Sequence, residues 1–328
     1  MRSSHTYELK HYNSKLNRIK LATRFLSHKL KSDSKLSGFI FDTPTYPSSI
    51  EKPAEDSKLG VNYDTKWART PIVRSTRSVL REGLARPFFA AVAAPEVIGI
   101  NSLNKVDPPF IFTANHASHL DTGLLLSTLP YEIRRKTVAA AAADYFFDSR
   151  LKAALAAGIL NAIPLERTKV NRSSAKLAQD LVEEGWNLII FPEGGRTQDG
   201  WGQPFKGGAA YLSIKTGIPI VPVYIHNTRA LMKKGSKKLT TGATKVIFGS
   251  PINALDGEDA RKYSVRIEKE IAALKNEIGD DFYKSLLNKS KDTTPGLQNN
   301  EQSKWLRSWA IETTERSNKK EPIKWPKL

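Results

Sequence analysis

The chain has 328 residues, 40% of them hydrophobic, which suits one large domain with appendages or two small ones. It contains no cysteine, which excludes disulfides, thiolate nucleophiles and every zinc site that needs sulfur. A formal net charge of +18 asks for acidic company: nucleic acid, anionic lipid headgroups or phosphorylated substrates.

Residues 1–65 are polar and rich in Ser, Lys and Pro, the composition of a mostly disordered tail. Within it Leu16, Ile19, Leu26 and Leu30 follow helical spacing among Lys15, Arg18, Lys20, Arg24, Lys29 and Lys31. That pattern fits a basic amphipathic helix lying on an anionic membrane, or a solvated basic tail. The N-terminal stretch lacks a secretory apolar core, and no apolar run reaches the roughly 18–20 residues of a spanning helix. The best candidate, PFFAAVAAPEVIGI, is broken by Pro95 and Glu96. A protein that is soluble or peripherally attached is expected.

From Trp67 the pattern tightens. IVRSTRSVLREGLARPFFAAVAA is predicted helical, with Pro71 well suited to a helix start. FIFTA is a short buried strand and GLLLSTL a helix; KTVAAAA is too short to assign by periodicity. SRLKAALAAGIL is helical, as is SSAKLAQDLVEEGW, with Leu177, Leu181 and Val182 on its apolar side. NLIIF is a buried strand, GGAAYLSIKTG a helix ending at Gly217, and IPIVPVYI and TKVIFG are strands. Pro219 and Pro222 suggest that IPIVPVYI is an edge strand or carries a bulge. DGEDARKYSVRIEKEIAALKNEI is a long helix with Asp256 as N-cap and acids in its first turn. Strands alternating with helices predict an α/β domain around a mainly parallel sheet. Residues 291–328 turn polar again but hold Trp305, Trp309 and Trp325, which fit either a short helix docked on the domain or an interfacial anchor.

The chemistry gathers in two stretches. TANHASHLDTG holds His116, His119 and Asp121. A separation of five puts His116 and Asp121 on different faces of one helix. They meet only if His116 lies in the turn after FIFTA and Asp121 inside the following helix. The C-terminal end of a strand is where α/β sheets put their active sites. A carboxylate on one imidazole nitrogen fixes the tautomer and makes the other a better base. A metal held by His116, His119 and Asp121, or a purely structural cap, stays open on these residues alone. LIIFPEGGRTQDG sends Glu193, Gly194, Gly195 and Arg196 out of a buried strand. The glycines permit a sharp turn and close approach to a ligand, and Arg196 offers a fork suited to phosphate. Arg167, next to last in GILNAIPLERT, is a second candidate phosphate ligand. Lys206, beside two glycines at a predicted helix start, is a third. The basic loop from Arg229 to Lys238 suits coenzyme A phosphates, the acidic face of a carrier protein, or simply solvent.

NHASHLD resembles the His-x4-Asp block of the glycerolipid acyltransferases of the 1-acylglycerol-3-phosphate acyltransferase type. GILNAIPLER, FPEGGRT and IPIVPVYI resemble that family's second, third and fourth blocks, in the family's order. The resemblance covers roughly residues 70–280 and neither tail; Gly195 stands where many members carry Thr. It implies a single α/β catalytic domain over 66–290, with a central mainly parallel sheet flanked by helices and polar N- and C-terminal tails. It implies transfer of a fatty acyl group from acyl-CoA or acyl-carrier protein to the free hydroxyl of 1-acylglycerol-3-phosphate. Glycerol-3-phosphate or another lysolipid or glycolipid is the alternative acceptor. His116 would be the general base and Asp121 its orienting acid, with no covalent acyl-enzyme, no metal and no cofactor beyond the acyl donor. Glu193, Gly194, Arg196 and Arg167 would bind the acceptor, with Lys206 added from its position. The implied setting is peripheral, on the cytoplasmic face of an anionic membrane. A nucleic-acid-binding reading rests on charge alone, without a recognisable binding motif, and no nucleic-acid partner is expected. A lipid-binding relative without turnover is disfavoured by the intact His–Asp and Glu–Arg sets.

Overall fold

The computed structural model of the chain describes residues 59–166, 172–197, 201–236, 238–279 and 282–298. The helix expected near Leu16, the tail tryptophans Trp305, Trp309 and Trp325, and Arg167 lie outside these residues.

Seven strands form one sheet: β1 (Pro95–Ile98), β2 (Ile111–Ala114), β3 (Thr137–Ala142), β4 (Ala162–Leu165), β5 (Asn187–Ile190), β6 (Ile220–His226) and β7 (Thr244–Phe248). Their order is β1-β7-β6-β2-β5-β3-β4, and every pairing is parallel except the antiparallel β6–β7 pair. Five strands from β6 to β4 therefore run one way and end at one edge of the sheet. The ambiguous KTVAAAA is a strand because it fills the slot between β5 and β4.

β2 and β5 are buried throughout, so both faces of the sheet must be covered, and their sequences, apolar but for Thr113 and Asn187, follow from that. On one face Phe112, Ile189, Val221 and Val223 pack with Phe89 of a helix over 71–93 (α1) and with Leu124 and Leu125 of α2 (Leu120–Thr128). On the other, Ile111, Leu188 and Ile220 pack with Leu181 of Arg172–Glu183, Leu212 of Gly208–Thr216, and Tyr263, Ile267 and Ile271 of Ala260–Gly279. Neighbouring residues of one strand thus serve opposite cores. Leu297, beyond the tail boundary drawn at residue 290, is 4% exposed and belongs to the second core.

One pair of alternatives is narrowed and one expectation needs correction. β6 is an interior strand, so of the edge strand or bulge expected from its prolines the edge is excluded. Pro222 is tolerated there because the β7 side changes register between the Ile220↔Ile252 bridge and the Val223↔Phe248 pair. The missing N–H faces that break, while the Pro222 carbonyl accepts from Gly249 N–H at 2.8 Å. The long helix starts at Ala260, after both Glu258 and Asp259, and Asp256 does not cap it. Asp259 takes that place, its carboxylate accepting the Lys262 N–H at 2.8 Å. Asp256 sits too early because Gly257, at φ 72°, turns the chain between them.

α1 begins with Pro71 at its first turn and passes through a π segment, Arg81–Ala85. Two of its arginines point inward. Arg77 donates to the carbonyls of Ala68, Gly158 and Ala157, and Arg81 to those of Ile159 and Arg134. Three of these carbonyls close the π-helical end, Ala156–Leu160, of the helix that starts at Arg150. Cations on the last carbonyls of a helix satisfy orphan acceptors and oppose its dipole. Burial lowers the Arg77 pKa to about 10 and that of Arg81 to about 9, with neighbouring arginines adding to it. Arg77→Met removes the donors but keeps much of the volume. We expect a loss of about 2–3 kcal/mol in chemical denaturation, because carbonyls are left buried without partners.

Candidate active site

The turn that follows β2 carries the two expected residues. His116 lies between strand and helix, and Asp121 in the first turn of α2. His116 Nδ1 donates to Asp121 Oδ2 at 2.8 Å. The same oxygen accepts the main-chain N–H groups of Ala117 (2.7 Å) and Ser118 (2.8 Å). Oδ1 accepts the Thr228 hydroxyl at 2.5 Å. Asp121 is fully buried, and this set of donors offsets the cost of burying its carboxylate. With Nδ1 committed, Nε2 of the neutral ring keeps its lone pair. The ring stacks on Phe191, with centroids 4.2 Å apart, and its side chain remains 18% exposed. The ring is therefore oriented on one side and open on another.

A second carboxylate holds the main chain of the turn. Glu193 Oε1 accepts the His116 N–H at 2.8 Å, and Oε2 accepts the Gln203 N–H at 3.0 Å. The His116 carbonyl in turn accepts the Thr197 N–H at 2.9 Å. Both polar groups of the His116 backbone are thus bound by the loop that follows β5. Glu193, expected among the binding residues, is 2% exposed and has both oxygens on main-chain amides. Burial raises its pKa to about 7, against the two amide donors, which act to lower it.

The other expected residues divide by position. Gly194 adopts φ 71°, and a side chain there would meet Lys206 Nζ at 2.7 Å and Cε at 2.9 Å. Glycine is what lets the Lys206 side chain lie over this turn, and the Lys206 N–H donates to the Pro192 carbonyl at 2.9 Å. Arg196 is near enough to act electrostatically on His119, which burial and then Arg196 push down to about 4. His119 stacks on Tyr145 and stays a neutral neighbour of the turn. Ser118 is buried and donates to the Met232 carbonyl at 2.9 Å. Among the described residues no group of three His, Cys, Asp or Glu side chains comes together to hold a metal ion.

Sequence reasoning missed Thr228, Asn115 and Gln203. Asn115 donates to the Ile225 carbonyl (2.9 Å) and accepts its N–H (2.7 Å), extending the β2–β6 pairing beyond the last ladder residues. All three sit just past strand ends or within the β5 loop. A search for polar residues at every C-terminal strand end would have found Asn115 and Thr228.

Residues 94–226 match the family model described as Acyltransferase. The 1-acyl-sn-glycerol-3-phosphate acyltransferase BAT2, chloroplastic, of Brassica napus is 32% identical over 170 residues, covering 51% of this chain and 46% of that one. The 1-acyl-sn-glycerol-3-phosphate acyltransferase alpha of Homo sapiens is 25% identical over 178 residues, covering 53% and 61%. The alignments span about half the length of these relatives. The crystal structure of the 1-acyl-sn-glycerophosphate acyltransferase PlsC from Thermotoga maritima superposes with a TM-score of 0.50 at 22% identity, covering 66% of this chain and 84% of that one, which establishes the shared fold.

The raised Glu193 pKa sets a pH dependence. The folded state binds more protons than the unfolded state between about 4.5 and about 7. The stability this group contributes is present below 4.5 and lost as pH rises through about 7. Glu193→Gln should flatten the fall in thermal midpoint across that window, measured by calorimetry from pH 4.5 to 8.

Proposed function

We propose, from the match of residues 94–226 to the Acyltransferase family model and the geometry of the site, that the chain transfers a fatty acyl group from an acyl thioester to the free hydroxyl of 1-acylglycerol-3-phosphate, giving phosphatidate. The observation that carries this reading is the His116–Asp121 pair, 2.8 Å apart at the sheet's C-terminal edge, with the ring oriented and Nε2 uncommitted. Relatives named for this reaction support the acceptor.

Nε2 of His116 takes the proton of the acceptor hydroxyl as its oxygen attacks the thioester carbonyl. Asp121 steadies the imidazolium that forms. The tetrahedral intermediate collapses with cleavage of the carbon–sulfur bond, and the imidazolium proton goes to the departing thiolate. The products are an ester and a free thiol, with no acyl-enzyme. Glu193 and Gly194 shape the wall of the acceptor site. Arg196, Lys206 and Arg167 supply positive charge for the acceptor phosphate.

We further propose that the protein works at the cytoplasmic face of an anionic membrane. Ile72, Val79, Leu80, Leu84 and Phe88 form an exposed stripe on α1, and Leu151, Leu155 and Ile159 form another on the helix its arginines cap. Basic residues flank both stripes, a pattern suited to lying in a lipid interface. Among the described residues no helix is long and apolar enough to cross a membrane.

His116→Ala should lower acyl transfer from oleoyl-CoA to lysophosphatidate on the order of a thousandfold with the fold intact. Retention of most of the wild-type rate would remove the base assignment. Leu84→Asp with Leu151→Asp should abolish co-sedimentation with phosphatidylglycerol vesicles while sparing transfer in mixed micelles.

A further inference from the structure

The reaction proposed above brings together two anionic substrates, and β2 has a neighbour on each side: β5 on one and β6 on the other. The loops leaving these strands therefore flank the His116 turn from opposite sides. The β5 loop supplies Arg196 and, at its end, Lys206. The β6 loop runs from Thr228 to Thr240 and holds Arg229, Lys233, Lys234, Lys237 and Lys238. No acidic residue occurs anywhere from Trp201 to Leu255.

The β6 loop is anchored to the reacting turn. The Thr228 hydroxyl donates to Asp121 Oδ1 at 2.5 Å, and Ser118 Oγ donates to the Met232 carbonyl at 2.9 Å. Its base is closed by Thr240, whose N–H donates to the Leu231 carbonyl at 3.0 Å and whose hydroxyl donates to that of Ala230 at 2.8 Å. Between these pins the chain makes a tight turn: the Ser236 N–H donates to the Lys233 carbonyl at 3.1 Å, and Gly235 stands at φ 82°. Lys233, Lys234 and Lys238 are exposed on it.

We propose that this loop binds the nucleotide phosphates of the acyl donor, making acyl-CoA the donor class, while the β5 loop takes the acceptor phosphate. The inference rests on the acyl-transfer reading above. Two separate cationic loops answer two separate anionic headgroups, and one loop could not neutralise both without crowding like charges. Residues 233–238 span at most about 20 Å even fully extended. That matches three phosphate groups on one nucleotide better than carboxylates spread along the helices of a carrier protein. The anchoring to Asp121 and Ser118 puts the bound nucleotide at a fixed place relative to the base.

The test is the triple variant Lys233→Ala, Lys234→Ala, Lys238→Ala, assayed in mixed micelles with lysophosphatidate and four donors: acyl-CoA, acyl-dephospho-CoA, acyl-pantetheine and acyl-carrier protein. The exposed positions leave the core intact, which an unchanged thermal midpoint checks. The KM for acyl-CoA should rise about tenfold, the loss of roughly one charge-assisted contact. The wild-type preference for acyl-CoA over acyl-pantetheine should collapse, with the KM for lysophosphatidate unmoved. An unchanged acyl-CoA KM overturns the proposal. So does a rise confined to acyl-carrier protein or to lysophosphatidate, or a loss of phosphatidylglycerol vesicle binding alone. A wild-type protein that uses none of the donors overturns the acyl-transfer reading instead. Calorimetric titration with CoA alone, comparing wild type and variant, then still decides whether the loop binds the nucleotide.

Discussion

One pair of hydrogen bonds governs the geometry of the site: the Glu193 carboxylate on the His116 N–H and the Thr197 N–H on the His116 carbonyl. A turn at a strand end has no ladder partners of its own, and its unpaired backbone groups would otherwise leave it mobile. Here both backbone groups of the key residue are taken by the next parallel strand's loop. Asp121 then needs only to orient the ring, because the position of the main chain is already set. Two buried carboxylates divide the work, one holding the backbone and one the imidazole. Asp121 itself raises the Glu193 pKa, so the two charges are felt across the turn.

The sheet makes that arrangement possible. Because β5, β2 and β6 are parallel neighbours, three successive loops emerge on one edge and can interlock. The loop after β5 holds His116, the loop after β6 reaches Asp121 through Thr228, and Asn115 ties β2 to β6 past the end of the ladder. The reversal at β7 lies outside this trio and leaves it undisturbed. Arg77 and Arg81 join α1 to the helix that starts at Arg150, so the apolar stripes of both belong to one tied unit.

Much of this was legible in the sequence, for identifiable reasons. FIFTA and NLIIF are apolar except at Thr113 and Asn187, a near-continuous run that a strand buried on both faces requires. The separation between His116 and Asp121 rules out a shared helix face and so points to a turn followed by a helix. What stayed hidden involves partners distant along the chain. The inward turn of Glu193 depends on an amide 77 residues away, and Thr228 meets a carboxylate 107 residues away. Pro222 left an edge strand or a bulge open because only its missing donor was visible, whereas the register break that excuses it is a property of β7. Asp256 looked like a cap because Gly257's left-handed turn cannot be told from sequence to delay the helix to Ala260.

The central claim is that the His116 turn presents an uncommitted Nε2 to the acceptor hydroxyl. The nitrogen-15 spectrum of the His116 imidazole, recorded with and without lysophosphatidate, tests it most directly. The account predicts a neutral ring with its hydrogen on Nδ1, and an Nε2 resonance that moves when lysophosphatidate is added. A neutral ring protonated on Nε2, or an Nε2 resonance indifferent to lysophosphatidate, would contradict it.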